Sequence, residues 1–227
     1  MFAKISINSS SKSSTSSATP VANLINSWEK KPIASCVVGI SKISMASNII
    51  NKISHAALLL MKDEIGFEEE ESNILERDGI LIEYGDYKKD MCDTEKDYVN
   101  KGLVIYHYGD KGGLRYYVKK YGEFIKEFGD KGYIDLNIDE VNHQSFEHFI
   151  SKIANKDENK WIHSKYSVVY NFNCQTFVIE ALKEIKPYFN LGNVYPTDSD
   201  MAAKKSKQKL DFIPSNIKTE LVKYLRK

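Results

Sequence analysis

The segment Ser54-His55-Ala56-Ala57-Leu58-Leu59-Leu60-Met61 shows no polar–apolar alternation. A strand with one wet face alternates, so a run apolar on both faces belongs in the interior of a sheet. One residue breaks the pattern. His55, at the mouth of the strand, carries two ring nitrogens that need partners. A second run, Gly79-Ile80-Leu81-Ile82-Glu83-Tyr84-Gly85, has a similar exception in Glu83. A carboxylate inside an apolar strand costs several kcal/mol unless it is paired. Laid side by side, the two strands bring Glu83 to His55. Kept apart, His55 is a core histidine bonded to a backbone carbonyl and Glu83 an edge-strand residue facing water. The residues alone allow both arrangements.

Further strands are expected at Ala34 to Ile40, at Leu103 to Tyr108, at Leu114 to Val118 and at Tyr133 to Ile138. The glycine-rich runs 109–113 and 129–132 read as turns, because neither has the spacing of a phosphate-binding loop. The first of them suggests a hairpin. Glu68 to Glu71 read as a polar loop. Helical spacing marks Ser47 to Ile53, then Asn142 to Ile153, then Cys174 to Ile185, which ends before Pro187. A last amphipathic helix starts at Pro214-Ser215. Helices and strands are mixed without regular alternation, which argues an α+β fold with an antiparallel sheet packed against helices. Residues 1–20, rich in Ser, are expected to be a disordered tail. Residues 21–200 form the expected folded domain, and 201–227 a basic stretch with the C-terminal helix.

Composition removes several function classes. The 32 basic and 31 acidic residues leave a net charge of +1, without the basic surplus that nucleic-acid binding needs. Only Arg77, Arg115 and Arg226 are arginines, so bidentate phosphate clamps are scarce. No apolar stretch approaches the roughly 20 residues of a membrane span. No continuous apolar core marks a secretory signal near the N-terminus, and a cytoplasmic location without a transmembrane anchor is expected. Five His and three Cys invite a zinc reading, but no metal-ligand spacing occurs. No metal or cofactor is expected.

Three cysteines do not make a disulfide framework, and they are expected as free thiols in a reducing compartment. Cys36 lies inside an apolar strand, where low dielectric keeps a thiol inert. Cys92 has Asp90 and Asp93 beside it, which disfavour a thiolate. Cys174 differs, because it opens an amphipathic helix whose free amides and dipole stabilise an anion. Asn171 and Asn173 precede it as natural capping and hydrogen-bonding residues. Position alone leaves a buried structural thiol as the alternative.

Ser54-His55 leading an apolar strand, a polar residue on a second strand and a late Asn173-Cys174-Gln175-Thr176-Phe177 resemble the permuted papain-like thiol hydrolases. That group includes the NlpC-like peptidases, the PPPDE-type deubiquitinase-like peptidases and the lecithin-retinol acyltransferase family. The last two share an Asn-Cys-x-x-Phe nucleophile motif. The resemblance spans roughly residues 33–190, with specific motifs at only about fifteen positions. It implies a circularly permuted papain-like fold and a cysteine hydrolase that cleaves an amide, isopeptide or ester bond. Cys174 would be the nucleophile, His55 its base and Glu83 the residue that orients His55. The Cys174 backbone amide would donate to the oxyanion, with Asn173 and Asn171 as support or as caps. Acyltransferases of this group tend to carry a second His where this chain has Glu83, which favours hydrolysis over acyl transfer. A peptide, a ubiquitin-like conjugate or an acyl compound is the implied substrate. The rival of a different class is a non-catalytic interaction module on the same fold.

Overall fold

A computed structural model of the chain describes residues 33–42, 54–63, 70–87, 93, 95–108, 112–129, 132–138, 145, 148–149, 152, 161, 165–167, 172–185 and 187–195. The expected N-terminal tail, the helix Ser47 to Ile53, Cys92, Asn171, most of the helix Asn142 to Ile153 and the C-terminal helix lie outside them. The strands are β1 (Ser35–Lys42), β2 (Ser54–Met61), β3 (Asp78–Gly85), β4 (Val104–Tyr108), β5 (Gly113–Lys120), β6 (Gly132–Ile138) and β7 (Pro187–Tyr195). The helices among the described residues are α1 (Glu71–Leu75), α2 (Lys96–Asn100), α3 (Tyr121–Phe128) and α4 (Cys174–Ile185). The strands form one sheet in the order β4-β5-β3-β2-β1-β6-β7, with every neighbouring pair antiparallel. The chain is therefore a mixed α/β protein with an antiparallel sheet. No helix among the described residues is long and apolar enough to cross a membrane.

The double-faced apolar character of β2 has a direct cause. It is the middle one of the seven described strands, and both faces are covered. Ala56, Leu58 and Leu60, with Ile80, Ile82 and Tyr84 of β3, meet Phe177, Val178, Ala181 and Leu182 of α4. Ala57, Leu59 and Met61, with Val37 and Leu81, meet Tyr121, Phe124 and Phe128 of α3. Gly39 of β1 sets how closely α3 approaches. A Cβ there would stand 2.8 Å from both the Phe124 ring and the Phe128 carbonyl oxygen.

Two elements correct the sequence reading by addition. Residues 121–128, assigned no element there, form α3, whose Tyr121, Phe124 and Phe128 recur at helical spacing and bury against the sheet. Residues 187–195, also unassigned, form the edge strand β7, which begins with Pro187, a residue tolerated at the first position of a strand. Glu71, expected in a polar loop, opens the short helix α1 instead. Gly132 has φ 138°, a conformation glycine permits, and its amide bonds Gly129 O at 2.8 Å, which brings the two ends of the run 129–132 together as expected. The β4–β5 hairpin also pairs as expected.

Asp135 places a carboxyl on the α3 side of β6, almost wholly buried, where it accepts from the Tyr121 hydroxyl at 3.0 Å. Burial, only partly offset by Tyr121, raises its pKa to about 7. Its unfolded value lies near 3.9, so the folded chain holds one more proton between about pH 4 and 7. Stability is then lost, not gained, as pH rises through that window. Asp135→Asn keeps an acceptor for Tyr121 and removes this loss. The variant should be more stable than the parent at pH 8 by on the order of 3 kcal/mol, and the gap should close towards pH 4. Urea unfolding at several pH values measures it; a constant gap across the range would rule out Asp135 as its source.

Candidate active site

Cys174 is the first residue of α4, and a reciprocal cap leads the chain into that helix. Asn173 Oδ1 accepts from the Thr176 amide at 2.9 Å, while Thr176 Oγ1 accepts from the Asn173 amide at 3.0 Å. The first helical bond, Phe177 N to Asn173 O, follows at 3.0 Å. Such a box satisfies donors that a helix start leaves open and fixes where the helix begins. The motif Asn173-Cys174-Gln175-Thr176 thus puts the thiol on the first turn for a local reason. Of the two roles expected for Asn173, the side chain performs the cap. Asn171 lies outside the described residues.

Three groups bond the Cys174 sulfur: the His55 side chain, the backbone amide of Ala56 and the Tyr166 hydroxyl. His55 reaches it because β2 begins at Ser54, at the rim of the sheet. The ring lies 6.1 Å from that of Phe128 on the α3 side, yet bonds the helix start on the α4 side. β2 pairs with β3 at Leu59 and Leu81, which sets Glu83 diagonal to His55 on one face. His55 Nε2 stands 3.0 Å from Glu83 Oε1, which leaves Nδ1 as the ring nitrogen for the sulfur. Glu83 is 5 % exposed, so it is not an edge residue facing water. The structure brings Cys174, His55 and Glu83 into one hydrogen-bonded chain.

Burial alone drives a thiol's pKa up and an imidazole's down. Here their contact outweighs burial. Bonding to His55, with help from the Ala56 amide and Tyr166, holds Cys174 below the ordinary thiol value. Cys174, and then Glu83, lift His55 to about 10. Both shifts favour the charged forms, thiolate for Cys174 and imidazolium for His55. Burial and then the neighbouring thiolate push the Tyr166 hydroxyl up, so it stays protonated and donates. Cys36 makes the contrast: fully buried, with Asp135 as its charged neighbour, its thiol is pushed far up.

The wall behind the site is aromatic. The Tyr84 ring meets Trp161 edge-on at 4.9 Å and Tyr166 at 5.4 Å, and Trp161 meets Phe177 at 5.4 Å. Trp161 is in the core.

Two residues of the site escape the sequence reading. Tyr166 sits in a segment without periodicity, eight positions before Cys174. Arg115 entered only as one of few arginines. It lies directly across from Glu83 in the β3–β5 register, with Nη1 3.9 Å from Glu83 Oε2. Its Nη2 stands 3.6 Å from Glu95 Oε1, and Glu95 in turn accepts from the Tyr106 hydroxyl at 2.7 Å. The hairpin pattern around Leu103 to Val118 was the one available signal, since it places residue 115 inside a strand.

A surface cleft of about 610 Å³ is lined by Glu95, Tyr98, Arg115, Tyr117 and Lys120 among others. It adjoins the site through Arg115, and neither Cys174 nor His55 is in its wall. Of the remaining histidines, His107 pairs with the Tyr116 hydroxyl at 2.6 Å, and burial lowers its pKa.

Comparison with protein-family models, with curated proteins and with solved structures returns no match.

Proposed function

We propose that the chain is a cysteine hydrolase with a circularly permuted papain-like, NlpC-like fold, which cleaves an amide, isopeptide or ester bond through an acyl-enzyme on Cys174. One observation carries this reading: the sulfur of a helix-opening cysteine bonds an imidazole whose Nε2 is 3.0 Å from a buried carboxylate. A buried structural thiol has no need of that chain, whereas a nucleophile needs every part of it.

The Cys174 thiolate attacks the carbonyl carbon, and the C–O double bond opens to an oxyanion. Backbone amides at the start of α4, that of Cys174 first, face the developing negative charge. The proton held by His55 passes to the leaving amine or alcohol as its bond to carbon breaks, leaving a thioester on Cys174. Water then gives a proton to His55 and its oxygen to the thioester carbon. The acid departs, and the thiolate and imidazolium are restored. Glu83 holds the ring's orientation throughout and stabilises its charged form.

Limiting iodoacetamide at pH 7 should alkylate Cys174 at least about tenfold faster than either other thiol, since the thiolate is the reacting species. His55→Ala should slow that reaction by a similar factor. Hydrolysis should rise with pH below the ordinary thiol range and fall again near pH 10, where the imidazolium is lost. Equal labelling of all accessible thiols, indifferent to His55, would support a non-catalytic interaction module instead.

A further inference from the structure

We infer that Arg115 is a positioning residue of the Cys174–His55–Glu83 site, standing behind Glu83 so that the carboxylate stays aimed at His55. The inference rests on the proposed hydrolase reading. Glu83 has two oxygens with different surroundings. Oε1 bonds His55, whereas among the described residues no hydrogen-bond partner reaches the buried Oε2. Facing Oε2 is the Arg115 guanidinium at 3.9 Å, a charge contact rather than a hydrogen bond.

Arg115 is itself held on several sides. It is cross-strand from Glu83, its guanidinium carbon lies 4.8 Å from the centre of the Tyr117 ring and 5.9 Å from that of Tyr106, and it bonds Tyr87. Glu95 anchors its far end. A side chain so fixed has one place to put its charge.

With Arg115, the series thiolate, imidazolium, carboxylate, guanidinium sums to zero with each group in its charged form, Cys174 and Glu83 being buried and His55 and Arg115 partly so. Without it the series carries one uncompensated negative charge, which a buried site resists. Removing a cation makes every proton nearby harder to lose, so the Cys174 thiolate should form at higher pH. Among the described residues, the other ionisable groups near this series are Tyr87, Tyr106 and Tyr117 around Arg115, Glu95 beyond it, Tyr166 on the sulfur, and Tyr84 and Asp86 beside Tyr166. Burial raises Tyr87, Tyr117 and Tyr166, so these stay neutral near pH 7. On α3, Glu123 and Glu127 are turned to Lys119.

The test uses the full chain and reads the rate of iodoacetamide capture at Cys174 by peptide mass spectrometry from pH 4 to 9. Arg115→Met should move the acid limb up by about one pH unit, a roughly tenfold slower reaction below it. Arg115→Lys keeps the charge and should restore most of the limb, although it fits the ring stack less well. Glu95→Gln removes an anion that stands beyond Arg115, outside the series, and should move the limb the other way, by a few tenths of a unit. Packing losses alone would lower unfolding temperatures without moving the limb. A limb unchanged in Arg115→Met overturns the inference. If that variant does not fold, a limb unchanged in Glu95→Gln overturns it. A wild-type Cys174 that titrates like a free thiol, near pH 8.5, would instead reject the hydrolase reading beneath it.

Discussion

Cys174→Ala should abolish turnover of every substrate the chain hydrolyses, a loss of roughly 10⁴-fold or more, while leaving the fold in place. The sulfur is the nucleophile in the proposed mechanism, and no neighbouring group can take over. The Tyr166 hydroxyl is held protonated by burial. Stability should change little, because the cap of α4 is made by Asn173 and Thr176 and not by Cys174. Parallel assays with short peptides, ubiquitin-like conjugates and acyl thioesters would find the substrate class on the wild type first. Mass spectrometry of a stalled reaction should then show the acyl group on the Cys174 peptide. Hydrolysis that survives in Cys174→Ala would refute the mechanism.

Glu83→Gln should reduce turnover by roughly 10²- to 10⁴-fold. A glutamine still accepts from His55 Nε2, so the ring keeps its tautomer and orientation. What it lacks is the negative charge that supports the imidazolium. The alkaline limb, near pH 10 in the parent, should therefore move to lower pH, since Glu83 is one of the groups that raise His55. The sign is opposite to a loss of fold, which would lower activity at all pH values alike. Circular dichroism and the pH–rate profile separate the two. A Gln variant with wild-type rate and profile would remove Glu83 from the mechanism, whatever its distance from His55.

The legible part of this protein is what depends on neighbours in sequence. The unbroken apolar run 54–61 specifies a strand covered on both sides, because solvent on either face would demand polar residues at every second position. The spacing of Phe177, Val178, Ala181, Leu182 and Ile185 specifies a helix with one buried face, and its start at Cys174 follows from Asn173 and Thr176. His55 and Glu83 stand out because a polar side chain in an apolar strand needs a partner. Even the short helix α3 has a local signal, in Tyr121, Phe124 and Phe128, though Gly122 and its eight-residue length weaken it.

Which partner each polar group finds is another matter. The meeting of Glu83 with Arg115 depends on β5 lying beside β3 in one register, and a shift by one residue would turn Arg115 to the other face. The bond from Tyr166 to the sulfur joins a segment without periodicity to a helix start, and nothing in its own neighbours requires that. His55 can touch Phe128 on one side of the sheet and Cys174 on the other only because β2 happens to end at the sheet's rim. Six of the seven described strands, the start of α4 and the residue types of the proposed triad are legible in the sequence, since periodicity and capping act within a few positions. Tertiary structure alone decided the register, the two-sided burial of the carboxylate and the cation behind it, because those follow from packing between strands that the chain brings together from far apart.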